Sequence, residues 1–413
     1  MTGGRASGWV PWPRRVDIAL LCFFTLLVAY CDRVNLAVAA PDMMREFQWS
    51  TAQMGWVFSG FFAGYTLFIL PAGLVVERYG ARRVLGYGLI GWSALTALVT
   101  SPRTIPVLTS TRVLLGASES GTFPAINSLL ARWFPKEEYA RAAGFCWAGG
   151  YAASIVAFPL AGAILHLWGW RAIFWAFGGL GLIWSMVWVK GTAKDGEFRN
   201  EGRRTAEELS IPLRVLLSSR PVWALLVLHW SSNWFSYVLI SWLPTYLEVA
   251  RHFSIGSTVI GSAMPFLAAW LGTNVFGFAI DRLSLRFSRT NVRKSMLLLF
   301  ALSGFTLAGV GLLTSYAGIV GLLSLATAFM TAATPIYASG SLDLAPNSSA
   351  RLVGIQSTVA NTAGIVAPVV SGYLARNGGW GAVFTVTALV CLLGAVTYAC
   401  IGRAEPLQVA VAA

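Results

Sequence analysis

Long apolar runs divided by short polar breaks set the rhythm of this chain. A helix needs about 20 mostly apolar residues to cross a bilayer. Twelve runs have that character, over 16–40, 53–76, 84–101, 106–131, 141–166, 171–190, 222–249, 256–280, 295–315, 317–342, 351–374 and 380–402. Their apolarity is continuous, whereas barrel strands would alternate over about ten residues. The pattern predicts an all-α integral membrane protein with 12 transmembrane helices in two pseudo-symmetric six-helix bundles.

The polar breaks carry the orientation. Arg14 and Arg15 precede the first run, and Arg78, Arg82 and Arg83 follow the second. Arg132, Lys136 and Arg141 lie between the fourth and fifth, and Arg282 to Lys294 follow the eighth. Alternate breaks are poor in basic residues, which predicts a multi-pass protein of the plasma (inner) membrane with both termini cytoplasmic. The longest break, "KGTAKDGEFRNEGRRTAEELSIPL", falls at the midpoint. It suggests a cytoplasmic segment 1–15, a bundle 16–190, a cytoplasmic linker 191–221, a second bundle 222–402 and a tail 403–413. Weak repeats support two halves. "GLVVERYGARR" from Gly73 is echoed by "GFAIDRLSLRFSR" from Gly277, and "FPLAGAILHLWGWRAIF" from Phe158 by "APVVSGYLARNGGWGAVF" from Ala367. Parallel repeats of this kind place a substrate site between the halves near the midplane.

Composition sharpens the picture. Of 413 residues, 56% are hydrophobic and 11% charged, against about 25% charged in soluble domains. The formal charge of +13 would suggest nucleic acid in a soluble chain. Here the basic residues cluster in loops, so the bilayer and not nucleic acid is the expected partner. Five cysteines form no Cys-x-x-Cys pair, and the three histidines have no metal-ligand spacing. No glycine loop with a lysine suggests nucleotide binding. An enzyme is therefore not expected, and neither a cofactor nor a metal.

Charges inside apolar runs are costly and point to function. Asp32 and Arg33 interrupt "LLVAYCDRVNLAVAAP" in the first run. Arg112 and Glu119 lie seven residues apart in the fourth, two turns and about 10 Å along one helix face. Gly116 between them would open space there. Two readings stay open: a structural ion pair packing helix on helix, or a cavity site. In the second, the arginines meet an anion and Glu119 or Asp32 exchanges a proton. Arg33 and Arg112 are expected at similar depth because their helices run antiparallel. Arginine's planar fork suits a carboxylate.

The loop "GLVVERYGARR" resembles the signature loop of the major facilitator superfamily, with Glu77 in place of the usual aspartate. The resemblance implies conformational gating by Gly73, Glu77, Arg78, Gly80, Arg82 and Arg83. "YCDRVNLAVAAPDMMREFQWS", "SGFFAGYTLFILPAG", "RVLLGASESGTFPA", "SWLPTYL" and "DLAPNSSARLVGIQSTVANTAGIVAPVVSGYL" resemble its anion:cation symporter branch. That branch includes bacterial sugar-acid transporters, sialin and vesicular glutamate transporters. The match implies proton-coupled uptake of an organic anion, with Na+ coupling less expected, by a monomer. By matching position it implies Arg33, Tyr65, Arg112 and Asn361 as substrate ligands and Asp32 and Glu119 as proton-coupling groups. Gln356 and Tyr237 are further pocket candidates. One departure is Gly150, where sugar-acid members can offer a glutamine; it suggests a wider, less polar pocket. A drug–proton antiporter and a transporter-like ligand sensor remain the competing readings.

Overall fold

The computed structural model describes residues 12–192 and 211–407. The predicted spans form helices α1 (Trp12–Phe47), α2 (Thr51–Tyr79), α3 (Ala81–Leu98), α4 (Ile105–Glu119), α5 (Thr122–Trp133), α6 (Lys136–Trp168) and α7 (Trp170–Gly191) in the first half. After a short α8 (Leu213–Ser218) come α9 (Arg220–Thr245), α10 (Ile255–Leu283), α11 (Arg289–Gly309), α12 (Tyr316–Met330), α13 (Thr334–Leu344), α14 (Ser349–Asn377) and α15 (Gly379–Ile401). Two expected spans are broken. The fourth divides into α4 and α5 at Ser120–Gly121, directly after Glu119, and the tenth divides into α12 and α13 at a 3-10 turn, Thr331–Ala333. Both breaks lie at corresponding places in the two halves. Hydropathy alone misses them because a window of about 20 residues averages the short polar stretches at 118–122 and 331–334 with their apolar flanks. Residues 193–210, most of the expected linker, lie outside the described residues, as do the ends of the chain.

Each half packs as its own bundle. In the first, α2 crosses α4 with almost no side chain between them. A Cβ placed on Gly64 would lie 1.9 Å from the Val113 carbonyl oxygen, and one on Gly116 would lie 2.0 Å from that of Phe61. Such close backbone approach is how helices associate in lipid, where apolar burial gives no driving force. It also corrects an expectation: Gly116 opens no cavity, because the α2 backbone fills the space. Gly116→Val is expected to destabilise the solubilised protein by at least about 1–3 kcal/mol, the usual cost of overpacking. Gly73→Ala, with nothing within 4 Å of its Cβ position, should leave the melting temperature unchanged or slightly raised. Thermal unfolding of both variants checks this, and equal melting temperatures would refute it.

The halves meet on the face opposite the termini. Thr51 Oγ1 donates to the Gly372 carbonyl at 2.8 Å and Ser59 Oγ to that of Ile365 at 2.7 Å. Phe58 meets Trp242 and Phe158 meets Phe266, with ring centroids 5.0 and 5.5 Å apart. Arg45 at the end of α1 pairs with Asp42 on its own helix and with Glu248 of the other half, the latter at 2.7 Å. All these contacts lie between the N-terminal half of α2 and the C-terminal half of α14, or at the same level. Toward the termini, Gly73 on α2 and Gly354 on α14 have no heavy atom within 4 Å of a Cβ position. The contacts named above thus close the molecule on one face.

On the closed face, Glu46 accepts from Arg171 (2.6 and 2.9 Å) and from the Trp170 indole at 2.8 Å. The Arg171 hydrogen bonds, then that of Trp170, pull its carboxyl down to about 2. This staple within the first half stays charged at any physiological pH. Trp168 is exposed as an aromatic belt requires, but Trp170 is buried over this staple.

Candidate functional site

The buried charges of α1 and α4 converge in an ion pair between the two helices. Glu119 pairs with Arg33, 86 residues away, instead of with Arg112 on its own helix. Arg33 Nη2 donates to Glu119 Oε1 at 2.5 Å and Nε to the same oxygen at 3.1 Å. Glu119 is 1% exposed and Arg33 7%. Both donors meet one oxygen, and Glu119 Oε2 is buried without a hydrogen-bond partner among the described residues. That second oxygen is where a proton can sit.

Phe61 on α2 packs against both arginines. The guanidinium of Arg33 lies 5.0 Å from its ring centroid and that of Arg112 5.1 Å. The expected common depth of the two cations is therefore met around one aromatic ring. Arg112 is 2% exposed, and its Nε and Nη1 have no partner among the described residues. It interacts electrostatically with Asp32 and Glu119 without a direct bond to either. A buried guanidinium left this free is an anion-attracting group.

Asp32 forms no ion pair with Arg33, its neighbour in sequence, whose partner is Glu119. Adjacent helical residues point about 100° apart, so Asp32 turns into the first bundle. There its Oδ1 accepts from Asn35 Nδ2 at 3.3 Å, with Arg112 and Thr96 nearby. Its Oδ2 is buried without a hydrogen-bond partner among the described residues.

The remaining candidates divide into two sets. Tyr65 is buried 5.1 Å from the Arg33 guanidinium, measured to its ring centroid. Across the divide, Tyr237 on α9 packs at a tilt against Phe62 (ring centroids 4.2 Å apart) and donates to Asn361 Oδ1 at 2.6 Å. Tyr237 also lies in electrostatic range of Arg33, so α9 and α14 reach the arginine site. Asn361 is bound in both directions, since its Nδ2 donates to the Ser357 carbonyl at 2.8 Å. Gln356 belongs elsewhere. It donates to the Tyr337 carbonyl at 2.9 Å, lies 3.0 Å from His229 Nδ1 and accepts from Ser341 at 2.5 Å. Its amide ties α9, α13 and α14 together.

Gly150 also corrects an expectation. The Tyr30 ring lies flat against it, with Cε1, Cε2 and Cζ all 3.3 Å from a Cβ position there. The space a longer side chain would take is filled by a phenol, not left wide. Tyr30 also covers Arg33 at 4.4 Å. Tyr30 and Phe61 escaped sequence reasoning because aromatic residues are common in any apolar span; the signal available was their helical spacing from Arg33 and Tyr65.

The gating candidates sit at the termini-bearing face. Gly80 alone joins α2 to α3, at φ 87°, a conformation that glycine adopts without strain. Arg82 Nε donates to Thr192 Oγ1 at 3.2 Å, and its carbonyl accepts from the Trp188 indole at 3.1 Å, tying α3 to α7. The Arg78 guanidinium lies 5.4 Å from the Tyr79 ring. Glu77 and Arg83 also interact with neighbours. Gly73 makes no close approach in this state. In the second half, fully buried Arg293 pairs with Asp343 and donates to Ser339 at 2.5 Å, an ion pair the sequence left unremarked.

The model of the Major Facilitator Superfamily matches residues 22–351 and 289–412. A sodium-dependent phosphate transport protein of Arabidopsis thaliana chloroplasts is 32% identical, over 94% of this chain and 79% of its own length. A chloroplastic ascorbate transporter of the same plant is 30% identical (94% and 75%), and human sialin 28% (95% and 90%). Among solved structures, a bacterial homolog of the human lysosomal transporter Spinster, in an inward-facing and unoccupied conformation, has a TM-score of 0.82. At 18% identity, with 95% of this chain and 98% of that one covered, it shares the fold. With two six-helix bundles, a buried charged cluster in the first of them, a family model matching most of its length and transporters as relatives, the chain belongs to the Major Facilitator Superfamily.

Proposed function

We propose that this protein is a secondary active symporter that takes up a small organic carboxylate with a proton, by alternating access. The basic, termini-bearing face is cytoplasmic in this reading, so the structure corresponds to the inward-facing state. The observation that carries the reading is the buried Arg33–Glu119 pair. An incoming carboxylate and Glu119 compete for the same guanidinium. Protonation of Glu119 at its unpartnered oxygen releases Arg33 to the substrate; deprotonation reclaims Arg33 and expels it. That two of the relatives named above are a phosphate transport protein and an ascorbate transporter supports an anionic cargo.

Charge balance supports a proton as the coupling ion. Two arginines, Arg33 and Arg112, face two carboxylates, Glu119 and Asp32. A monoanion would leave this dry cluster with excess negative charge, and one proton restores the balance. A sodium ion would have to sit beside two guanidiniums. A drug–proton antiporter would need a site for a cation or neutral body, and a free buried Arg112 disfavours both.

Reconstituted protein should accumulate a carboxylate, one proton per monoanion, when the source side is more acidic. A protonophore should abolish the accumulation, and a sodium gradient at equal pH should not drive it. Accumulation driven by sodium alone would refute the coupling.

A further inference from the structure

Building on the carboxylate-symporter reading, we propose that the site selects a planar aromatic carboxylate over a polyhydroxylated one. Five tyrosines from five helices gather here: Tyr30 of α1, Tyr65 of α2 and Tyr237 of α9 lie around Arg33, and Tyr151 of α6 and Tyr337 of α13 adjoin Tyr30. Tyr30 is the hub, in electrostatic range of the other four. Four of the five are only partly buried, as the walls of a cavity between the halves would be.

These rings are held in place. Tyr30 lies flat on the α6 backbone at Gly150, where any side chain would push it away. Tyr337 is stacked on His229 at 3.9 Å with only 10° between the planes. Tyr237 is fixed by its bond to Asn361 and Tyr151 by a 3.2 Å contact with Thr273 of α10. Rigid aromatic faces bind flat rings by offset or edge-to-face stacking.

The polar inventory favours the same class of ligand. A polyhydroxy acid needs a partner for each buried hydroxyl, since an unpaired one is costly. The amides nearest to hand are committed: Gln356 to His229, Tyr337 and Ser341, and Asn361 to Tyr237 and Ser357. The Tyr30 and Tyr65 hydroxyls form no hydrogen bond with other described residues. They suffice for a carboxylate or one ring substituent, not for a chain of hydroxyls. The guanidinium at the centre excludes a cationic ligand, the other common occupant of an aromatic box.

The test is a binding titration of the purified, detergent-solubilised protein with benzoate, cyclohexanecarboxylate and gluconate. Benzoate should bind at least about tenfold tighter than the other two, the worth of one or two ring contacts. Tyr30→Leu should remove most of that preference and Tyr30→Phe should keep it. Tyr337→Leu, in the other half, serves the same purpose if Tyr30→Leu disturbs folding. Equal affinity for benzoate and cyclohexanecarboxylate, or tighter binding of gluconate, overturns the aromatic proposal and leaves the carboxylate reading standing. Binding of inorganic phosphate with no carboxylate bound overturns both.

Discussion

Glu119→Gln is expected to abolish accumulation while leaving exchange intact. For one proton per anion, a one-unit pH gradient can support at most about tenfold accumulation, or 1.36 kcal/mol. The variant should stop at equal concentrations on both sides. Its amide mimics a permanently protonated carboxyl, so it cannot reclaim Arg33 from the substrate. Equilibrium exchange of labelled for unlabelled substrate should persist, with little pH dependence, because Arg33 is always released. Counterflow and gradient-driven uptake in the same vesicles measure the two properties separately. Uptake against a gradient by Glu119→Gln would place proton coupling elsewhere, with Asp32 the next group to test.

The other large effect is at Arg33. Arg33→Lys keeps the charge but loses the planar fork that joins Nε and Nη2 to one carboxylate oxygen. It also loses the flat surface against which Tyr30, Phe61 and Tyr65 pack, 4.4, 5.0 and 5.1 Å from the guanidinium. Breaking a buried charge pair at a binding site costs roughly 2–5 kcal/mol, so transport should fall by about 30-fold or more. Arg33→Ala adds a folding problem, since an ion left alone in such a place costs about 3–5 kcal/mol unless it takes up a proton. The double variant Arg33→Ala with Glu119→Gln removes both charges. It should recover much of the thermal stability of the parent and none of its transport. Wild-type uptake by Arg33→Lys would mean that the guanidinium serves structure alone.

These two effects follow from one arrangement. In the proposed cycle Glu119 and a cargo carboxylate compete for the same guanidinium, and Arg112 lies nearby with two buried, unsatisfied nitrogens. The closed face, fastened by Arg45 and Glu248 and by the α2–α14 contacts, would keep that exchange open to one side at a time. Alternation requires these contacts to separate while the packing inside each half, such as the α2–α4 backbone crossing, persists.

Much of this was written into the sequence, because hydropathy is a local property. Twelve spans, their two halves and their orientation bias follow from runs of about 20 residues and from where arginines fall. Asp32, Arg33, Arg112 and Glu119 were equally legible, since a charge in an apolar run is too costly to be incidental. Partners were not legible. Glu119 bonds Arg33 on another helix and not its two-turn neighbour Arg112. Asp32 turns away from the divide, Gln356 is spent on three helices of its own half, and a Tyr30 ring occupies the room expected beside Gly150. The breaks after Glu119 and at Thr331 were hidden because hydropathy averages short polar stretches with their apolar flanks. Periodicity gives the face on which a side chain stands but not what faces it. That depends on the rotation, tilt and spacing of helices far apart in the chain, which only their mutual packing decides.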